Sequence, residues 1–397
     1  MPKAFYVLLA GEATSNLGDN LFDIAIMIYL YRLTSNSMII GVISGIFNAL
    51  VLLNILTGFI ADKYVKTHVM QTVDLLEIVL LVIAAIAYAH NDITLVTIVG
   101  VAFISKFLGT FFSPAEDALI PQIIPTAYLN QANGLNQGLQ MAVQIIGMLL
   151  GGALVATVSI TYFVLINAAT FLVSFICILI FSRLFDGEIV SETTRETQGN
   201  WYDGLRYIYQ TPVLRNIVLL AMIVNFTLGP VLGLDVVWIK GTLHASSFMY
   251  SLAQVVFMVG VILGNVLVNL IHWQLKTKLL CSLSTIATAV VAMVSFRNLV
   301  VTLLSMTIIG AAGGFLNVSI FTLLQTRTPG HVLGRVNGAM LAGTNASLQL
   351  GMAIGGVISG ATSVGTVFLI GAGVTLLSLL LIVRLDFAES EMPDKMV

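Results

Sequence analysis

Long runs of apolar residues, separated by short polar breaks, extend along almost the whole chain. A helix needs roughly 20 apolar residues to cross the hydrocarbon core of a bilayer, and twelve runs reach about that length. The pattern therefore predicts an all-α membrane protein with twelve transmembrane helices, which we call spans 1 to 12 in chain order. Their predicted ranges are 5–31, 38–61, 69–89, 93–117, 129–156, 161–182, 213–239, 246–271, 278–296, 299–324, 332–360 and 364–385.

One long polar segment, residues 183–212, interrupts this pattern between spans 6 and 7. We predict that it separates an N-terminal six-helix half (1–185) from a C-terminal six-helix half (213–397). The connection between them (186–212) is expected to be a cytoplasmic linker with an amphipathic segment.

The two halves contain a sequence repeat at an offset of 204 residues. Between residues 119 and 182, 17 of 64 positions match the residue found 204 positions later. Span 5 thus corresponds to span 11 and span 6 to span 12, which gives two parallel six-helix repeats, as in transporters that rock around a site near the bilayer midplane. The most informative matches are Pro125 with Pro329, Asn133-Gly134 with Asn337-Gly338, and Gly147-Met148-x-x-Gly151-Gly152 with Gly351-Met352-x-x-Gly355-Gly356.

Composition narrows the function classes further. Only 9% of the residues are charged and the mean hydropathy is +1.00, whereas a soluble domain carries about 25% charged residues. The net charge of −2 argues against a nucleic-acid partner. No glycine-rich stretch continues to Gly-Lys-Ser/Thr, so ATP is not expected to drive the protein. Without a nucleophile–base pair or a metal-ligand cluster, we expect neither an enzyme nor a cofactor or metal.

The basic residues predict the orientation. If both termini are cytoplasmic, thirteen of the seventeen Lys and Arg residues lie on the inner side, as expected because these residues accumulate in cytoplasmic loops. We therefore predict a multi-pass protein of the cell (plasma) membrane with cytoplasmic termini.

Two glycine-containing motifs carry a family resemblance. The loop after span 2, Gly58-Phe-Ile-Ala-Asp62-Lys63-Tyr-Val-Lys66, resembles the signature loop of the major facilitator superfamily, with Val65 in place of its second glycine. Span 5 resembles the glycine-rich motif of antiporters in that superfamily, with Gly152 in place of a proline. The resemblance implies the twelve-helix major facilitator fold.

More specific motifs resemble the macrolide-efflux branch of this superfamily. The resemblance implies a secondary active transporter that exports an amphipathic drug-like compound in exchange for protons by alternating access. A lysophospholipid or siderophore transporter of the same fold is the alternative, and a receptor or scaffold would leave the carboxylates of span 1 unexplained. The expected partners are the lipid bilayer, the small substrate and protons, and we expect a monomer. The motifs are Leu17-Gly18-Asp19, Ser113-Pro114-Ala115, Asp203-Gly204-Leu205-Arg206-Tyr207 and Leu333-Gly334-Arg335-Val336.

Span 1 carries three carboxylates on one face. Glu12, Asp19 and Asp23, together with Asn16, fall within about 60° of each other on a helix. A charge at the bilayer centre costs roughly 2.5–3.5 kcal/mol, so this face must contact protein or water. In the superfamily, spans 1, 4, 7 and 10 line the central cavity, which would place these carboxylates along the transport path. Proton coupling is one interpretation; pairing that only fixes helix packing is the other.

Other charged residues within or near the spans have two interpretations each. Lys106 in span 4 is a proton-coupling residue or a salt-bridge partner. For Asp74 and Glu77 in span 3 we favour a structural role. Asp235 follows Pro230 in span 7, and that proline is a hinge or a static kink. Glu116 and Asp117, at the inner end of span 4, are expected to be solvated.

Three further groups of residues complete the predicted sites. As the resemblance implies, Asp62 accepts hydrogen bonds at the start of span 11 and holds the halves in the outward-open state, with Lys63, Lys66 and Gly58 in the same gating loop; a hydrated loop charge is the alternative. Six glycines are predicted to serve helix packing, and six side chains to line a substrate cavity, although Phe residues at this spacing more often serve packing. The glycines are Gly147, Gly151, Gly152, Gly351, Gly355 and Gly356; the cavity residues are Asn16, Phe22, Asn48, Asn225, Phe226 and Phe315.

Overall fold

The computed structural model describes residues 2–54, 56–58, 63–90, 93–185, 203–271 and 273–384, and all regular structure in these ranges is helical. The first six spans are the helices Lys3–Thr34, Ser37–Ala49 with a 3-10 turn at Leu50–Leu53, Lys66–Ala89, Leu95–Ile123, Leu129–Leu154 and Ile160–Leu184. Spans 7 to 12 are the helices Pro212–Gly233, Ser247–Leu270, Leu275–Phe296, Leu299–Arg327, Gly330–Ala361 and Val364–Arg384. Short helices at Thr126–Tyr128, Asp203–Gln210 and Val237–Thr242 lie between them.

Ten of the helices in the described ranges are long and apolar enough to cross a membrane. Span 1 is not among the ten because its carboxylates and asparagines lower its hydropathy. Span 2 is not among them because its described apolar helix, Ser37–Leu53, is short. Both exceptions thus arise from local features of two helices that the apolar pattern had already located.

Several helix ends follow from their local sequence. Thr94 caps span 4 by accepting the Thr97 N–H, and the Thr97 side chain reciprocates, which satisfies two donors at the exposed helix start. The Asn298 side chain caps span 10 by accepting hydrogen bonds from the N–H groups of Val300 and Val301. Pro212 occupies the first turn of span 7, where its missing N–H costs nothing.

Span 7 departs from the predicted range 213–239. Its α-helix continues through Pro230 and ends at Gly233, and a π-helical segment follows at Val237–Thr242. Because Pro230 has no N–H, the Phe226 carbonyl loses its usual donor four residues on. Gly351 of span 11 packs against this carbonyl so closely that a side chain there would overlap it. The proline is thus matched by a glycine of the neighbouring helix.

The described chain forms two compact units. The first comprises Met1–Ser35, Phe47–Thr197 and Ser247–Leu252, and its core includes Phe5, Met70, Leu119 and Phe181. The second comprises Asn36–Ile46, Gln198–Ser246 and Ala253–Val397, and its core includes Leu220, Leu283, Leu316 and Ile382. Most of the predicted linker lies outside the described residues, so the boundaries at 185 and 212 stay predictions.

Glycines of spans 5 and 11 pack in a related way in the two units. In the first unit, a Cβ added to Gly147 would lie 2.7 Å from the Asn20 Cβ, and one added to Gly151 would lie 3.1 Å from the Ile24 Cβ, both in span 1. In the second unit, a Cβ added to Gly355 would lie 2.6 Å from the Pro230 Cγ in span 7. Small residues let helix backbones approach closely in lipid.

The second glycine of each pair faces a different neighbour. Gly152 packs against Ser251 of span 8, inside the first unit. Gly356 packs against Gly41 of span 2, inside the second unit, where an added Cβ would lie 2.8 Å from the Gly41 Cα. In the repeat, span 8 is the equivalent of span 2. The contacts of Gly152 and Gly356 therefore follow the same repeat as the sequence.

Candidate functional site

Ten charged and amide side chains within the spans of the first unit lie in two groups. One, which we call the ion-pair cluster, contains Asp19, Asp23, Asp74, Glu77 and Lys106 from spans 1, 3 and 4. The other, the carboxyl–amide cluster, contains Glu12, Asn16, Glu116, Asn136 and Gln140 from spans 1, 4 and 5.

Asp23 and Lys106 form an ion pair between spans 1 and 4. The Lys106 Nζ lies 2.8 Å from each carboxylate oxygen of Asp23. The Asp23 side chain is 46% exposed and the Lys106 side chain 33% exposed, so the neighbouring helices cover the pair only in part. Opposite charges at this distance stabilise each other's ionised forms, which explains how both residues are accommodated within spans.

Asp19 lies behind this pair and is anchored to span 6. The Asn167 side-chain amide donates a 3.0 Å hydrogen bond to its Oδ1, and Asn167 itself is fully buried. Gly18 provides the room for this contact, because a side chain there would overlap Asn167 and Thr170. Asp19 is therefore held in place by its helix neighbours, within electrostatic range of Asp23 and Lys106.

Asp74 and Glu77 enter the cluster from span 3. They are only 0% and 1% exposed. Neither oxygen of Asp74, nor Oε2 of Glu77, has a hydrogen-bond partner among the described residues, although Ser174 lies beside Asp74 and Ser105 beside Glu77. An ionised carboxylate in such a place pays the full desolvation penalty. The neutral, protonated form is therefore the one that this environment stabilises.

The carboxyl–amide cluster joins spans 1, 4 and 5. The Gln140 amide donates to the Glu12 carboxylate and accepts from the Asn16 amide at 2.5 Å. The Asn136 amide donates to Glu116 at 3.3 Å. Glu116 lies beside Glu12, and two buried carboxyl groups in contact avoid repulsion by sharing one proton.

The expectation that Glu116 is solvated is wrong. Its residue is 7% exposed, whereas the adjacent Asp117 is exposed as expected. Glu116 directly follows Ala115, which is also buried. Both residues come after Pro114, which lies inside the helix. Periodicity alone could have placed Glu116 with Leu119 and Ile120 on the buried face, but its nearness to the end of the predicted span suggested water.

The predicted gating residues receive only partial description. Asp62 lies outside the described residues. Lys63 is exposed in a turn, whereas Lys66 is 1% exposed at the start of span 3. Gly58 packs near Pro114, with 3.6 Å from an added Cβ to the proline Cβ. The gating role of this loop stays a prediction.

The six predicted cavity residues have different environments. Phe22 and Phe315 are 3% and 7% exposed, whereas Phe226 and Asn48 are exposed. The Asn225 amide donates to the Ala221 carbonyl of its own helix at 2.9 Å, and Asn16 belongs to the carboxyl–amide cluster. Their assignment to a substrate cavity stays a prediction.

The second unit has a single acidic residue between positions 213 and 384, Asp235. It is 3% exposed and accepts hydrogen bonds from the Gln254 amide at 2.6 Å and from the Val236 N–H at 2.7 Å. These bonds tie the break after span 7 to span 8. Among the described residues, no group of three or more His, Cys, Asp or Glu side chains is arranged to hold a metal ion.

Buried and paired charges on helices of this hydropathy are typical of membrane transporters. The sequence-family model of the Major Facilitator Superfamily matches residues 8–340 and 216–395 of this chain. The chain therefore belongs to the major facilitator superfamily, and it is a multi-pass membrane transporter. This confirms the predicted fold class of twelve transmembrane helices in two parallel six-helix repeats.

Individual relatives are distant. The chain is 24% identical, over 98% of its length and 94% of the other chain, to an uncharacterized MFS-type transporter of Bacillus subtilis (strain 168), YfiS. It is 21% identical to macrolide efflux protein A of Streptococcus pyogenes, covering 89% and 88% of the two chains.

Solved structures share the fold at low sequence identity. The nucleoside transporter NupG has a TM-score of 0.72 at 17% identity, covering 96% of this chain and 98% of that one. A bacterial homologue of the iron transporter ferroportin, in an inward-facing state, has a TM-score of 0.74 at 15% identity over the same shares.

Proposed function

We propose that this transporter is a proton-coupled exporter of an amphipathic, drug-like organic cation. The observation that carries the proposal is the partly exposed ion pair between Asp23 and Lys106, together with the buried carboxyl groups of Asp19, Asp74 and Glu77. A cation that binds Asp23 displaces Lys106 from it. Displacement of Lys106 changes the charges that face the buried carboxyl groups. A proton antiporter must couple such a change to the release of a proton.

The substrate class follows from charge and surroundings. An accessible carboxylate selects a cation, and the apolar residues of the adjoining helices suit a molecule with a large apolar part. The distant relative named macrolide efflux protein A is consistent with a drug-like compound. Lysophospholipid or siderophore transport is the alternative, and both compounds serve as competing substrates in the test.

The test is transport by purified protein in lipid vesicles under an imposed pH gradient. We expect wild type to accumulate an amphipathic cation against its gradient and to move protons the other way. Asp23→Asn and Glu12→Gln should lose pH-driven accumulation while downhill exchange continues, because shape is nearly preserved but the proton is not released. Asp117→Asn, an exposed carboxylate on span 4, is the matched control. Full pH-driven accumulation in both variants, or accumulation of only the lipid or siderophore, would refute the proposal.

We also propose that the protein lies in the plasma membrane with both termini cytoplasmic. One chain carries both repeats, so a monomer is sufficient. In a background without Cys177 and Cys281, cysteines placed at Asn91 and Ser246 should react with an impermeant reagent applied to intact cells, and one at Thr193 should not. The reverse pattern would contradict the orientation.

A further inference from the structure

The short helix Asp203–Gln210, which we call the linker helix, contains a sequence motif to which the proposed function assigns no role. Two of its residues, one turn apart, pack on the second unit. Ile208 is 7% exposed within the core of that unit, and a Cβ added to Gly204 would overlap the Arg335 carbonyl of span 11. One side of the linker helix is therefore fixed against the protein.

The next side of the linker helix is apolar but exposed. Leu205 and Tyr209, also one turn apart, are 58% and 71% exposed. They lie about 100° around the helix from the packed side. Arg206 and Gln210 lie about 100° further around, and both are exposed. A helix with an apolar side beside a basic polar side is typical of the interface between a bilayer and water.

The linker helix is held at the level where span 7 begins. Only Thr211 separates its last residue from Pro212, the first residue of span 7. The Thr211 N–H donates to the Tyr207 carbonyl at 3.1 Å, and the Arg215 N–H donates to the Thr211 carbonyl at 2.9 Å. The backbone thus passes from one helix to the other without a loop. The exposed apolar side of the linker helix therefore lies near the end of a membrane span.

Two arginines lie beside this apolar side. The Arg215 guanidinium carbon is 5.7 Å from the centroid of the Tyr209 ring, and its Nη1 donates to the Tyr209 carbonyl at 3.4 Å. Among the described residues, neither Arg206 nor Arg215 has a carboxylate partner. The single acidic residue between positions 213 and 384, Asp235, comes after the opposite end of span 7. Because a guanidinium group binds phosphate well, these two positive charges favour an anionic phosphate ligand.

We propose that the linker helix and the first turn of span 7 form a binding site for an anionic phospholipid. Leu205 and Tyr209 pack against its acyl chains, and Arg206 and Arg215 bind its phosphate and headgroup. Apolar contact alone suits any lipid, whereas the two guanidinium groups select a negatively charged one. The site goes beyond the proposed transport function and uses none of its residues. It rests on the proposed orientation for one point, that the lipid belongs to the cytoplasmic leaflet.

Fluorescence quenching in lipid nanodiscs tests the position of the linker helix. In the background without Cys177 and Cys281, a fluorophore is attached to Leu205→Cys or, as the matched control on the polar side, to Gln210→Cys. The quencher is phosphatidylcholine brominated in its acyl chains. We expect strong quenching at position 205 and much weaker quenching at position 210. Equal quenching at the two positions, or none at position 205 because residues 186–202 cover it, would overturn the site.

Brominated phosphatidylglycerol then tests the selection of charge, with the fluorophore at position 205. A basic side chain near an anionic membrane surface contributes about fivefold in affinity. Arg206→Gln combined with Arg215→Gln should therefore lower the preference for phosphatidylglycerol over phosphatidylcholine at least about tenfold. The corresponding double lysine variant keeps both charges and should retain most of the preference. Arg297→Gln, an exposed cation at the other end of the second unit's spans, is the matched control and should leave it unchanged.

Three results would overturn the lipid site: no preference in the unsubstituted arginine protein, a preference that survives both glutamine substitutions, or an equal loss in Arg297→Gln. Transport in vesicles, measured in parallel, separates this proposal from the proposed function. Intact pH-driven transport without lipid preference removes only the lipid site. Lipid preference without pH-driven transport removes only the proposed function.

Discussion

The two units share one helix repeat but differ in how spans 1 and 7 are held. In the first unit, span 1 is joined to span 6 by the bond between Asp19 and Asn167. In the second unit, span 7 is joined to span 12 by a 2.8 Å bond between the hydroxyls of Thr227 and Thr375. The position 204 residues after Asn167 is Gly371, which packs against the Thr227 backbone. Thus Asn167, which hydrogen-bonds a carboxylate in the first unit, corresponds to Gly371, which permits close helix packing in the second.

The same contrast holds where spans 5 and 11 meet their partners. Gln140 of span 5 bonds Glu12 of span 1, whereas Thr344 of span 11, which lies 204 residues later, donates to the Met340 carbonyl of its own helix at 2.9 Å. The second unit thus has a compact core with few carboxylates. Under the proposed function, the proton chemistry belongs to the first unit, because Asp235 is the single acidic residue between positions 213 and 384 of the second.

The largest difference between the two units is expected in transport rate, when one lysine of each unit is substituted. Lys106→Gln removes the partner of Asp23 and should lower pH-driven transport at least about tenfold, equivalent to about 1.4 kcal/mol. Lys278→Gln in span 9 removes a cation that lies 5.6 Å from the Phe315 ring centroid and should leave transport near wild type. The measurement is the initial rate of pH-driven transport in vesicles. Equal losses in the two variants would remove the functional contrast between the units.

A smaller difference is expected in stability. Asn167→Val leaves the Asp19 carboxyl without its donor and should cost about 1.5–3 kcal/mol, the range for hydrogen bonds to charged groups. Thr375→Val removes a neutral bond within the membrane and should cost about 0.6 kcal/mol. Thermal unfolding in detergent would measure both, with the exposed Thr288→Val as the control. A larger cost for Thr375→Val would reverse the comparison.

The smallest difference between the two units is expected in the stability cost of substituting Gly147 and Gly351, which are equivalent in the repeat. Gly351→Ala places a methyl group against the Phe226 carbonyl, a rigid backbone atom, and overpacking of this kind costs about 1–3 kcal/mol. Gly147→Ala meets the Asn20 Cβ at 2.7 Å, which span 1 can relieve more easily, so we expect a lower cost. Gly100→Ala, with nothing within 4 Å, should stabilise by up to about 1 kcal/mol. Unfolding temperatures of the three variants test this order.

The sequence alone predicted the twelve spans and their parallel repeat. Each transmembrane helix buries a continuous apolar stretch, so hydropathy reports it locally, and repeated glycines leave a recognisable spacing. The same logic located Glu12, Asp19, Asp23 and Lys106 as the exceptional charges, because any charge in an apolar run is conspicuous. Span 7 shows the limit of this approach, since its α-helix ends at Gly233 and a π-helical segment follows within the same apolar run.

Only the tertiary structure decided which charge meets which. Asp23 and Lys106 are 83 residues apart, and no helical periodicity relates them. Burial of Glu116 beside Glu12, and of Asp74 and Glu77 without hydrogen-bond donors, likewise depends on how spans 1, 3 and 4 pack. Pairing, desolvation and proton occupancy are properties of the contacts between helices, and these contacts form between residues that are distant in the chain.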